Sequence, residues 1–243
     1  MRDSIKGGAY WAEYLSVQKG RIARFSVPAT SEHNARRWKM HLFQLHIDNV
    51  YALYSAGASI SELVQEYAQT LKTALTQPII VYGDLIWLLE MAVLLDVDIP
   101  AEQRTLLREK VDEGMRLNEM DSLGACGDDL WVGVLEGYLS RQDSPLDGKR
   151  VLFPGNETFA ALVTQIQRAS VPEAEALIRE HMKIWYKLHQ DCAWYDTHKL
   201  QTDVYVGYWA FDCAALAKIR GLLGTTLQGV RFFPADLLPD GGW

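Results

Sequence analysis

The chain has 243 residues, 49% of them hydrophobic, with 24 Lys/Arg against 31 Asp/Glu and a formal net charge of -7. That is enough apolar material for one large domain or two small ones. The acidic balance argues against a nucleic-acid binder, and no run reaches the ~18 uninterrupted apolar residues that a membrane helix needs.

Helix signals dominate in chain order. Tyr10 to Phe25 repeats its apolar residues at helical spacing (Trp11, Tyr14, Leu15, Ile22, Phe25) and ends before Pro28. A second helix is predicted from Ser31 to Gly57, through Trp38, Leu42, Leu45, Val50 and Leu53. Ser59-Ile-Ser-Glu62 reads as a capping box that opens a third helix. After Pro78, Ile79 to Val97 reads as a nearly all-apolar fourth helix, buried on most sides. Asp98-Ile-Pro100 starts a charged amphipathic helix through Arg116, and Asp121 is the expected cap of the next, which carries Leu130, Trp131, Val134, Leu135 and Tyr138. The turn-rich stretch from Arg141 to Asn156 is the predicted boundary. Beyond it Asn156 caps a helix to about Ala169, and Ser170-Val-Pro-Glu173 is a second capping box. Asp191 to His198 reads as a loop, and a final long helix is predicted from about Asp203 to Arg220. The expected fold is therefore all-α, an array of stacked antiparallel helix pairs with domains at 1–145 and 146–243.

The two halves are alike in order. Ser59-x-x-Glu62 precedes Trp87-x-x-Glu90-Met-Ala, and Ser170-x-x-Glu173 precedes Trp209-x-x-Asp212-Cys-Ala. That order is compatible with duplication, with solenoid-like stacking, or with chance. Charge is uneven as well. Residues 1–60 hold eight Lys/Arg against four Asp/Glu, residues 61–145 six against sixteen, and residues 146–243 ten against eleven. The acidity sits in the middle third, as a solvated face or as a surface for a basic protein partner.

Catalytic motifs are missing: no phosphate-binding Gly loop, no G-x-S-x-G elbow and no H-E-x-x-H occurs. His189, Asp191 and His198 are possible metal-ligand types without a recognised spacing. Cys126, Cys192 and Cys213 are odd in number and lack a C-x-x-C pair, as expected for free thiols in a reducing cytosol. With no apolar signal core in the first residues, a cytoplasmic protein without metal or cofactor is expected. Glu90 and Asp212 stand on apolar helices, where a carboxylate is costly unless it has a partner; an Arg, Tyr or Trp N–H from a neighbouring helix is the expected one. Asp128 and Asp129 follow Gly127 near a helix start, where the dipole favours a carboxylate. Trp194 and Tyr195, in the predicted loop, and Trp243, in the tail, are interface candidates.

One stretch goes further. Tyr205-Val-Gly-Tyr-Trp-Ala-Phe-Asp-Cys-Ala-Ala-Leu-Ala-Lys-Ile, closed by Phe232-Phe-Pro-Ala-Asp-Leu, resembles the C-terminal domain of the PoNi immunity proteins. Gly207, Tyr208, Trp209, Ala214, Ala215, Lys218, Ile219, Pro234, Asp236 and Leu237 match the family pattern. Asp212 stands where Glu is usual, and Cys213 where a small apolar residue is usual. Arg2-Asp, Tyr10-Trp and Arg21-Ile-Ala-Arg-Phe look like that family's N-terminal domain. The resemblance implies an all-helical, non-catalytic cytosolic protein that binds and neutralises a cognate DNase effector of a polymorphic toxin system, as in type VI secretion and bacterial competition. The acidic middle would then cover the toxin's basic cleft, with Asp121, Asp128, Asp129, Glu136, Asp191, Trp194 and Tyr195 as candidate contacts. Trp87, Glu90, Tyr208, Trp209, Asp212, Pro234 and Asp236 would be structural. A helical scaffold or adaptor without a toxin partner is the alternative, and an enzyme using the carboxylates or the His189–His198 loop is a third.

Overall fold

The computed structural model describes residues 1–27, 32–142, 148–152 and 157–240, with backbone only at 32–34 and 121. The expectations at Pro28, Ser31, Asn156 and Trp243, most of the predicted boundary and the Asp121 side chain lie outside the described residues. Within them the fold is all-α. Ten helices follow one another: α1 (Gly8–Ser26), α2 (Glu32–Ala56), α3 (Ile60–Leu75), α4 (Tyr82–Leu94), α5 (Ala101–Leu117), α6 (Leu130–Leu139), α7 (Glu157–Arg168), α8 (Val171–Leu188), α9 (Phe211–Ile219) and α10 (Gly224–Leu227). Among the described residues no strand forms, and Asp129 and Arg150 make one isolated bridge.

The helices gather into two compact units. The first joins Met1–Pro78 to His189–Tyr208. In it α2 packs on both α1 and α3. Trp11, Tyr14 and Gln18, spaced three and four apart, are the buried face of α1. Gln18 donates from Nε2 to the Leu45 carbonyl at 2.7 Å, and His46 Nδ1 lies 2.6 Å from Glu66 Oε1. Both predicted bonds of the first capping box form: the Ser59 side chain accepts from the Glu62 amide, and the Glu62 carboxylate accepts from the Ser59 amide. The start of the chain closes the end of α2, where Arg2 Nη1 donates to the Tyr54 and Ala58 carbonyls at 3.2 and 2.7 Å.

The second unit joins Ile79–Leu188 to Trp209–Trp243. Its centre is α4, buried from Leu85 to Leu94 except at Ile86 and packed on α5, α6 and α9. Packing thus crosses the sequence boundary at 145. The predicted fourth helix is trimmed at both ends. It ends at Leu94 because Asp96 adopts a left-handed backbone (φ 54) and the Val97 amide turns back to the Ala92 carbonyl at 3.0 Å. At the second predicted capping box, Glu173 Oε2 accepts from the Ser170 amide at 2.8 Å and from the Ser170 hydroxyl at 2.7 Å.

Two sequence expectations are corrected. α6 is capped by Asp129, while residues 121–123 form a separate 3-10 turn. The final helix begins at Phe211, eight residues later than predicted. Gly207 takes φ 106, and the Ala210 amide bonds to the Phe232 carbonyl at 2.9 Å, so the preceding segment is not helical. Asp212 is therefore in the first turn of α9 and not in the middle of a helix. A carboxylate there meets free backbone N–H groups and the positive end of the helix dipole.

Candidate functional site

The carboxylates of the two Trp-x-x-carboxylate motifs, Glu90 and Asp212, lie on α4 and α9, which pack directly against each other. Glu90 Oε1, buried, accepts from Trp131 Nε1 of α6 at 2.8 Å. The half-buried Asp212 accepts from Trp185 Nε1 of α8, with both oxygens at 3.2 Å. Each carboxyl thus takes an indole N–H from another helix, the kind of partner expected of a carboxyl withdrawn from water. Burial first, and then the charge of Asp212, hold Glu90 well above the ordinary carboxyl range. The free thiol of Cys213 is pushed up by burial, and Asp212 and Glu90 add to that rise.

The aromatic-Pro close reaches the same place. Phe232 has φ 65, and its carbonyl holds the amide that precedes α9. Its ring lies 6.0 Å from Trp185 and 5.2 Å from Tyr186. Pro234 caps the 3-10 turn that follows, Ala235–Leu237, which contains Asp236 and the buried Leu237. Lys218, near the far end of α9, is buried; it donates to the Leu94 carbonyl at 2.9 Å and to Asp96 Oδ2 at 2.7 Å, closing the end of α4. Trp87 is buried, Trp209 half-buried, and Tyr208 buried in the first unit. The Tyr208 hydroxyl lies 2.8 Å from His198 Nδ1 and 3.1 Å from the His198 amide.

Two family models match the chain. One, described as PoNe immunity protein (PoNi), N-terminal, covers residues 2–105. The other, PoNe immunity proteins (PoNi), C-terminal, covers residues 139–237. The chain belongs to the PoNe immunity protein family. It is an immunity protein for a polymorphic nuclease toxin, and its role is that of an inhibitor. No curated protein and no solved structure matches it.

The residues expected to meet a toxin divide in this PoNi chain by exposure. Asp128 is exposed, and so is Asp191. Asp129 is not a surface group. Its residue is only 3% exposed, and its carboxylate accepts from the Trp131 and Val132 amides at 2.9 and 3.0 Å and from the Leu152 amide at 3.3 Å. Glu136 is half-buried and neutralised in place, with Arg108 at 2.6 Å and Arg104 at 3.5 Å. The expected acidic pair is thus one capping residue and one surface residue.

Trp194 and Tyr195 are half-buried within the 189–204 loop. Trp194 lies 5.5 Å from the Tyr208 ring and 5.2 Å from His189. The loop is fastened from below by Thr197, buried, whose hydroxyl donates to the Trp194 carbonyl at 2.8 Å. It presents Leu200 and Val204 to solvent, 53% and 49% exposed. Among the described residues no group of three His, Cys, Asp or Glu could hold a metal ion. Sequence reading did not single out Trp131 and Trp185 as the partners of Glu90 and Asp212. Their spacing from Glu90 and Asp212 carries no signal, because the contacts come from tertiary packing.

Proposed function

We propose that the protein neutralises a DNase effector by laying an acidic surface over the toxin's basic DNA-binding or active-site cleft. The carrying observation is the charge on the outer side of the middle third. Asp98, Glu102, Glu109, Glu119 and Asp128 are all exposed, between the end of α4 and the start of α6. Such a surface attracts a cationic cleft at long range and competes there with DNA phosphates. Asp121 continues the acidic stretch, and Glu136 and Asp129 support it from within. Asp191, Trp194 and Tyr195 form a second candidate contact, an aromatic loop with a charged edge. This reading makes the protein a cytoplasmic, non-enzymatic partner of a toxin delivered between competing bacteria, as by type VI secretion. The domain division at 1–145 and 146–243 belongs to the same proposal; the order of an N-terminal and a C-terminal family model supports two domains, with the gap between the matches at 106–138.

Association kinetics with the cognate nuclease test the mechanism. The on-rate is expected to fall as salt rises, and Asp128→Lys is expected to lower it further at low salt. Affinity that stays flat from low to high salt, with an unchanged on-rate for Asp128→Lys, rejects electrostatic blockade while leaving inhibition itself intact.

A further inference from the structure

Glu90 is enclosed in the second unit, 5% exposed, and inhibition as proposed above makes no use of it. Its surroundings are short of positive charge. From α9 it faces Asp212 and Cys213, with Lys218 farther along and committed to the Leu94 carbonyl and Asp96. From α6 it receives the neutral Trp131 indole, and Asp129 at the cap of that helix faces Tyr82 at the start of α4. From α5 come Arg104 and Arg108, both engaged with Glu136. The enclosed Glu90 carboxyl and Cys213 thiol therefore lie beside the half-buried Asp212, with indole N–H groups as the donors. Two anions so placed repel each other and forgo hydration, and one neutral indole N–H does not offset that cost.

We propose that Glu90 and Asp212 form a proton site, in which the enclosed Glu90 carboxyl holds a proton in the folded chain, so that the second unit weakens as pH rises. Asp212 is half-buried, stands in the first turn of α9 and shares the one Trp185 N–H between its two oxygens. The direction of the pH effect follows from the proton count. The folded chain holds a proton that the unfolded chain releases at about 4.3, the ordinary glutamate value. The stabilisation is full below that value and is lost as pH rises towards the folded value. Across this window the folding equilibrium falls up to about tenfold per pH unit.

The test is the stability of the intact protein from about pH 5 to about pH 9, together with infrared difference spectra of its carboxyl groups. Glu90→Gln mimics the neutral acid, keeping an oxygen for Trp131 and offering an amide towards Asp212. It is expected to remove up to about tenfold per pH unit of the wild-type dependence. Asp212→Asn removes the repelling charge and is expected to shrink the same dependence in part. In wild-type protein a protonated carboxylic-acid band is expected at neutral pH, absent from Glu90→Gln. Parallel stability curves for wild type and Glu90→Gln, or no such band in the wild type, overturn the proposal. A full wild-type dependence retained in Asp212→Asn removes Asp212 from the site and overturns the sharing.

Discussion

At the residue scale, identity and role part company most clearly at Asp128 and Asp129. They are adjacent and chemically equal, yet one faces water and the other fastens three backbone amides. Asp129→Ala is expected to cost about 1–2 kcal/mol for the lost cap, and more where the Leu152 amide stays unpaired. Asp128→Ala is expected to stay within about 0.5 kcal/mol of wild type. Urea unfolding of the two variants reads the difference. Gly57 offers a second residue-scale prediction. It sits at φ 93, and an added Cβ would lie 2.5 Å from the Met1 nitrogen. Gly57→Ala therefore forces both strain and displacement of the chain start, an expected loss of about 1–3 kcal/mol in the same measurement. Some of this was legible beforehand. Ser59 and Glu62 announce a capping box because all its atoms lie within four consecutive residues. The cap of α6 was not, since Asp121, Asp128 and Asp129 all precede it and the choice depends on the bridge between Asp129 and Arg150, twenty-one positions apart.

At the scale of elements, helix ends are held by distant residues. Lys218 of α9 reaches the last carbonyl of α4, and Phe232 holds the amide ahead of α9. Lys218→Met keeps the length of the side chain and loses its donors. The expected cost is about 1.5–3 kcal/mol, typical of hydrogen bonds to a charged group, measured by thermal or urea unfolding. Unchanged stability would mean that water replaces the ammonium at the end of α4. Helix existence was legible throughout, because apolar spacing of three and four residues is a property of the sequence itself. The start of α9 was not. The run from Tyr205 to Ala210 is as apolar as the helix that follows, and only Gly207 marks the turn. That single misplaced boundary made Asp212 look like an acid stranded in mid-helix, when it is a first-turn residue with an indole partner.

At the scale of the whole molecule, each compact unit is assembled from distant parts of the chain, the first taking residues from before Pro78 and after His189. Cutting the chain at 145 removes α9 from beneath α4 and uncovers its buried face. Residues 1–145 alone are therefore expected to lack a cooperative thermal transition, as circular dichroism would record. The family was legible because its pattern sits in local sequence at the start of α9 and in the Phe-Phe-Pro close. The contact surface was less so, since net acidity counts Glu90, Asp129 and Glu136 equally with the exposed carboxylates. As an immunity protein, the molecule is expected to inhibit its nuclease by binding it directly. Titrating the cognate nuclease with this protein while following DNA cleavage tests it most directly. The account predicts that cleavage stops at about one inhibitor per toxin, as mass action requires of a tight complex; cleavage that continues undiminished with the protein in excess would contradict it.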